Sequence, residues 1–264
     1  MDLFQGLNDA QQEAVACLEG PLLIVAGAGS GKTRVLTYRI ANLLAHGVAA
    51  YRILAITFTN KAAREMRDRV DTLIGEAAHD IWLSTFHAFC ARLLRVEIEH
   101  LGGYEKNFVI YDASDSKGLI RECLKELNLD EKHTAPGAVQ AHISDAKNRL
   151  LGVKQFTVQA EDFFSQQVAK VYELYQSKLA ANNALDFDDL LMLTVELLSK
   201  NEAVRTKYQE KFRYILVDEY QDTNGAQYQI TKLLAAGHHN ICVVGDADQS
   251  IYGWRGADMR NILN

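Results

Sequence analysis

Residues 27 to 33 read GAGSGKT, with the apolar run PLLIVAG leading in and helical spacing at Val35, Leu36, Arg39 and Ile40 leading out. Glycines in such a loop let the backbone N–H groups of Ala28, Gly29, Ser30 and Gly31 curl around a polyphosphate, and the helix N-terminus that follows adds a favourable dipole. Lys32 is placed to reach the β and γ phosphates, and the Thr33 hydroxyl to ligate Mg²⁺. Where the strict loop pattern has glycine the chain has Ala26, small enough for the same turn. The bland alternative is a glycine-rich strand-to-helix turn; strand, loop and Lys-Thr in that order favour phosphate. The loop alone names no reaction, because kinases, transporters, GTPases and motors share it.

A second cluster supplies carboxylates. The run YILVDEY ends in Asp218-Glu219, followed by Gln221-Asp222. In a parallel sheet this end lies on the same edge as the phosphate loop, where ligands of open α/β sheets collect. Asp218 would then hold Mg²⁺ and Glu219 would polarise the water that attacks the γ-phosphate, which divides metal binding from base work. A solvated acidic turn is the competing reading. A general base points to hydrolysis rather than transfer.

The elements that must position these groups are legible as five apolar runs: 21–27, 52–59, 81–86, 214–220 and 241–246. They are apolar without alternation, which suits strands of a sheet covered on both faces. Strand followed by helical spacing, as at Ala63, Met66, Val70 and Leu73, predicts βαβ units and a parallel sheet. Between 89 and 212 the apolar residues follow helix periods almost throughout and no convincing strand occurs. The stripe Phe164, Val168, Val171, Tyr175, Leu179 reads as core packing, Asp186 is placed to cap a following helix, and Pro136-Gly137 reads as a turn. The expected fold is therefore α/β, a parallel sheet flanked by helices, with an all-α inserted subdomain. Residues 1–88 and 213–264 would make a discontinuous nucleotide-binding lobe, and 89–212 the insert.

Composition sets the remaining bounds. The 264 residues are 48% hydrophobic and 23% charged with 2 Pro, which excludes disorder and collagen-like repetition. Cys17, Cys90, Cys123 and Cys242 form no CxxC and no close pair, so buried thiols in a reducing cytoplasm are expected rather than a disulfide framework or zinc ribbon. No apolar run approaches the roughly 20 residues of a membrane helix, and the start lacks a basic signal flank. A formal charge of -6 decides little, since the field that matters to nucleic acid is local. His238 and His239 carry no metal spacing. The chain stops at RNILN, part way into what reads as a new helix, so a longer parent is expected.

The run at 241–246 opens GDADQSIYGWRGAD, an amide, two aromatics and an arginine just past the sheet edge. Together with LNDAQQ, AGAGSGKT, ITFTNKAAREM, STFH, DFDDLL and VDEYQDTN in this order, it closely resembles superfamily 1 DNA helicases of the UvrD/Rep/PcrA type across essentially the whole chain. The resemblance implies a P-loop NTPase lobe of the RecA-like kind, with ATP and Mg²⁺ as substrate and cofactor. It implies that Gln11 reads adenine, that Arg34 contacts the nucleotide beside Lys32 and Thr33, and that Gln249 senses the γ-phosphate. It further implies single-stranded DNA contacts at Phe58, Asn60, Thr85, His87, Tyr252, Trp254 and Arg255. Aromatic faces that stack bases contribute about 1 to 3 kcal/mol per base. Trp254 is the strongest stacking candidate, although a packing tryptophan and a structural His87 are the bland alternatives. The stretch 57–69, with Lys61, Arg64, Arg67 and Arg69 against Glu65 and Asp68, adds a modestly basic surface.

Family likeness also implies what a whole protein would do: travel 3′ to 5′ on single-stranded DNA and unwind duplex at single-strand/duplex junctions, in repair or replication. Such helicases have a second RecA-like lobe that supplies arginines to the γ-phosphate. Arginine fingers are worth about 10³ to 10⁵ in rate in related enzymes, so this chain by itself is expected to hydrolyse ATP feebly and not to unwind. The competing class is a non-catalytic single-strand-binding module in which nucleotide only sets conformation. DNA-stimulated ATP turnover separates the two, and a small-molecule kinase would be indifferent to DNA.

Overall fold

The computed structural model describes residues 3–27 and 29–246. The expectations at Ala28, Gln249, Tyr252, Trp254 and Arg255 therefore lie outside the described residues. The described strands are β1 (Leu22–Val25), β2 (Ile53–Thr57), β3 (Trp82–Thr85), β4 (Val109–Tyr111), β5 (Ala184–Asp186), β6 (Tyr214–Val217) and β7 (Ile241–Gly245). The helices are α1 (Asp9–Ala16), α2 (Lys32–Ala45), α3 (Asn60–Ile74), α4 (Phe86–Glu97), α5 (Ala113–Glu126), α6 (Pro136–Asn148), α7 (Val153–Gln159), α8 (Phe163–Ala181), α9 (Phe187–Lys200), α10 (Glu202–Lys211) and α11 (Gly225–Ala235).

All five apolar runs become strands of one parallel sheet in the order β1-β7-β6-β2-β3. Every residue of β2 is buried, which explains why its sequence does not alternate. Ile53 and Ala55 face α2 and α3, while Leu54 and Ile56 pack on the other side with α4, α9 and α11. Each fully buried Ile or Leu contributes roughly 1.5 to 3 kcal/mol relative to exposure, so the sheet's two faces dominate its stability. The edge strand β1 departs from the two-sided reading. Among the described residues its Leu23 and Val25 stay 44% and 57% exposed.

The buried residues between 89 and 212 fall into two groups. Phe89, Leu93 and Leu94 of α4, Leu190 and Leu197 of α9, and Val204 and Tyr208 of α10 are buried against the large sheet. A separate core joins α5, α6 and α8 through Leu119, Ile143, Val168, Val171, Tyr175 and Leu179, as the stripe on α8 predicts. The region is not wholly helical. Strands β4 and β5 pair in parallel, Val109 with Ala184 and Tyr111 with Asp186, and three residues each are too few to show a period. Pro136 opens α6 rather than making a turn, because a missing N–H is harmless in a helix's first turn.

Asp186 caps α9 as expected, in a reciprocal box with Asp189. The same carboxylates close on a buried lysine: Lys147 Nζ lies 2.7 Å from Asp186 Oδ2 and 2.7 Å from Asp189 Oδ1. The Tyr175 hydroxyl donates to Asp186 at 2.9 Å, and Gln176 Nε2 to Asp189 at 3.1 Å. Next to Lys147, Asn148 donates to Asp188 Oδ1 at 3.1 Å and accepts from Asn224 Nδ2, the residue that caps α11. A Cβ on Gly225 would stand 3.2 Å from the Asn148 carbonyl, so a larger residue there would push α11 a few tenths of an ångström from the end of α6.

Cys90, Cys123 and Cys242 are buried and Cys17 is half-buried, none of them in a disulfide. Burial pushes the Cys90 and Cys242 thiols up to about 12, which makes them unreactive. Among the described residues no helix is long and apolar enough to cross a membrane.

Candidate functional site

The loop after β1 and the ends of β6 and β7 are adjacent because β7 pairs with β1 on one side and β6 on the other. Gly31, with φ 83°, turns the loop into α2. A side chain there would meet Gln11 Nε2 at 3.1 Å. Ser30 closes the loop from within, its hydroxyl donating to the Gly27 carbonyl at 2.6 Å. Lys32, 8% exposed, is ion-paired with Asp246 Oδ2 at 3.3 Å at the end of β7. The Thr33 hydroxyl donates to Asp218 Oδ2 at 3.0 Å. Loop and acidic strand end are thus in direct contact.

Asp218 is buried, and burial followed by the charge of Glu219 pushes its carboxyl above the usual range, with the Thr33 hydroxyl drawing it back. Glu219 adopts left-handed backbone, φ 50° and ψ 43°, a conformation that costs a non-glycine residue roughly 1 to 3 kcal/mol and recurs at functional sites. Its N–H donates to Asp218 Oδ1 at 2.9 Å, and its side chain accepts from Gln221 Nε2 at 2.7 Å. Gly31, Lys32, Thr33, Arg34, Arg69 and Glu219 line a cleft of about 360 Å³. A second cavity of about 320 Å³ shares Thr33 and Glu219 and extends to Thr57, Phe58 and Thr59. Thr33 and Glu219 therefore stand between the loop side and the β2 side. Oxygen donors from Thr33 and Asp218 suit a hard divalent cation. No cluster of three or more His, Cys, Asp or Glu able to hold a metal by themselves occurs among the described residues.

Among the described residues the nucleotide candidates stand together, and two features qualify the picture. Gln11 stands beside the loop with both ends of its amide in use: Oε1 accepts from the Asn8 N–H and Nε2 donates to the Ser30 carbonyl at 2.9 Å. Each end keeps a second bonding position, one N–H and one lone pair, that an adenine edge could use. Arg69, exposed and counted with the basic surface, also lines the cleft. The signal was available, because Arg67 and Arg69 are two apart on a helix and cannot share a face. Arg67 donates to the carbonyls of Ala78, Ile81 and Leu83, so of the four it is the one drawn inward, while Lys61, Arg64 and Arg69 are exposed.

The DNA candidates gather more loosely. Phe58 is half-buried, edge-on to Phe86 at 5.5 Å, and Asn60 is exposed at the first turn of α3, behind the Thr59 cap. Thr85 is buried and spends its hydroxyl on the Ala88 N–H at 3.2 Å, capping α4. His87, half-buried, meets the ring of Phe187 at 5.7 Å. Phe187 is 50% exposed and received no role in the sequence, where it is simply the residue after the Asp186 cap.

A family model described as UvrD/REP helicase N-terminal domain matches residues 7–264. The chain is 54% identical over 263 residues to ATP-dependent DNA helicase PcrA of Bacillus subtilis (strain 168). It is 55% identical over 263 residues to PcrA of Staphylococcus epidermidis and 54% to PcrA of Staphylococcus aureus (strain NCTC 8325 / PS 47). In each case the match covers 99% of this chain and 36% of the relative, so the chain spans about a third of those proteins' length.

Proposed function

The chain belongs to the UvrD/REP helicase family, matching its N-terminal domain, and from this premise we propose that it is the ATP-binding part of an ATP-dependent DNA helicase. The observation that carries the reading is the contact of Thr33 with Asp218 at 3.0 Å, beside the Lys32 ammonium. It supports a triphosphate seated on the loop, its β and γ oxygens met by Lys32 and by the N–H groups of Ala28 to Gly31. Thr33 and Asp218 would hold Mg²⁺, which when bound neutralises charge on the β and γ oxygens.

Glu219 orients and deprotonates the attacking water. The water oxygen bonds to the γ-phosphorus as the bond to the β–γ bridging oxygen breaks; ADP and inorganic phosphate leave, and Glu219 receives the proton. Arg34 and Arg69 face the same cleft and add positive charge near the nucleotide. Phe58, Asn60, His87 and the exposed Phe187 offer a path for single-stranded DNA, joined in this reading by Thr85, Tyr252, Trp254 and Arg255. Gln249 is assigned to sensing the γ-phosphate. In the longer protein, closure on ATP and reopening after hydrolysis drive 3′ to 5′ travel and unwinding. The chain without that remainder turns over slowly.

DNA-stimulated ATP turnover tests this, measured on the chain and on the full-length protein. The expected result is Mg²⁺-dependent hydrolysis that single-stranded DNA accelerates strongly in the longer protein and little in the chain. Nucleotide binding without stimulation in either would replace the motor with a passive DNA-binding module.

A further inference from the structure

Gln221 is 1% exposed and stands between two strand ends. Its Oε1 accepts the backbone N–H of Asp246, the residue following β7, at 3.0 Å. Its Nε2 donates to Glu219 Oε2 at 2.7 Å. The amide orientation is dictated by its partners: a backbone N–H can only meet the oxygen, which leaves the NH₂ for the carboxylate. Both polar ends are matched inside a buried site, where an unpaired amide would cost about 1 to 3 kcal/mol.

We propose that Gln221 is a positioning residue for ATP hydrolysis, holding the Glu219 carboxylate toward the γ-phosphate position; this rests on the reading of Glu219 as the base. Glu219 needs such a brace. Its backbone is left-handed, it is only half-buried, and it lines the cleft from a short turn rather than from a strand. Gln221 ties it to β7, whose next residue, Asp246, also carries the partner of Lys32. Base, lysine and the strand leading into the Gln249 segment are thereby held through one amide. No other residue type reproduces the pattern. Glutamate keeps an acceptor for Asp246 but opposes a second carboxylate to Glu219, asparagine is one methylene short, and methionine keeps the volume and loses both bonds.

The test is steady-state and single-turnover ATP hydrolysis by the full-length protein with saturating single-stranded DNA, in Gln221→Met, Gln221→Glu, Glu219→Gln and the Glu219→Gln/Gln221→Met pair. Misplacing a reacting group by about 1 Å can cost on the order of 10²-fold, so both Gln221 variants should lose about tenfold or more in kcat while KM for ATP stays within about threefold. Because Gln221 acts through Glu219, the double variant should be no more than about twofold slower than Glu219→Gln alone. A Gln221→Met enzyme with near-native kcat, a loss confined to nucleotide affinity, or multiplicative losses in the double variant would each overturn the proposal. If Gln221→Met melts early, the near-isosteric Gln221→Glu decides, its kcat read beside an unchanged melting temperature. Native turnover in Glu219→Gln would instead remove the base assignment itself, and this inference with it.

Discussion

Lys32 rests against Asp246, with 3.3 Å between ammonium and carboxylate and both side chains almost wholly shielded from water. The cation expected to meet the phosphates is therefore already matched by an anion at the end of the neighbouring strand. In the proposed reading a nucleotide competes with Asp246 for the lysine, and the pair should lower its affinity.

Replacing Asp246 by Asn should raise ATP affinity about threefold to tenfold, the equivalent of roughly 1 kcal/mol for a relieved competing contact. Isothermal titration with Mg·ATP checks it. Weaker binding would show that Asp246 holds the lysine in place rather than competing for it.

Lys32→Ala should weaken ATP binding by at least about tenfold, since charge-assisted bonds to phosphate are worth about 1.5 to 3 kcal/mol each. Turnover in the full-length protein should disappear. Thr33→Ala, by contrast, should lose mainly the Mg²⁺-dependent part of the affinity, seen by comparing titrations with and without the metal.

His87 and Phe187 touch through their rings, so their contributions to a DNA path should be coupled. Phe187→Ala should weaken binding of a fluorescent oligothymidylate by about 1 to 3 kcal/mol if one base stacks there. The half-exposed Phe187 side chain can be removed without a buried cavity, so folding should be little affected. His87→Ala in that background should add less than it does alone. Equal affinities for the Phe187→Ala and native proteins would take the ring out of the path.

Lys147→Met should destabilise the fold by about 3 to 5 kcal/mol near pH 7, the cost of leaving buried carboxylates without their counter-charge. In the native protein burial opposes the charge on Lys147, yet Asp186 and Asp189 hold its ammonium well above the ordinary value, so its stabilisation persists until pH rises past 10.5. Burial also opposes the charge on Asp186, but Lys147 holds that carboxyl below 3.8, so its contribution is lost as pH falls through that depressed value. Burial and then Asp186 raise Asp189 to about 6. Without the lysine both carboxyls should take up protons more readily in the folded than in the unfolded chain. Stability of the variant should then rise as pH is lowered from about 7 toward 4. Urea melts at the two pH values read this directly, and an equal penalty at both would contradict the ionic account.

The sheet was legible because its strands are short, continuously apolar and bounded by loops, and because the phosphate loop and Asp218-Glu219 sit at chain positions that parallel strands must align. The Asp186 cap was equally readable, a local signal of one side chain and the three residues after it. What the sequence hid was either too short or too distant. Strands β4 and β5 have no room for a period. The partners of Lys147 lie 39 and 42 residues away in the chain, and the lysine by itself reads as an ordinary surface charge. Gln221 received no role of its own because its distant partner, the Asp246 N–H, is backbone and leaves no mark in residue types. Counting charges along a stretch kept Arg69 on the basic surface, where it is exposed, but could not show that it also lines the cleft.

The contact between Asn148 and Asn224 restricts how the molecule can flex. Asn224 belongs to the turn that begins at Asp218, and Asn148 terminates a helix of the α5–α6–α8 unit. A tilt of that unit against the sheet must either rupture this amide pair or drag the carboxylate turn with it. A displacement of the helical unit at Asn148 is thereby linked, through Asn224, to the segment that carries Asp218 and Glu219.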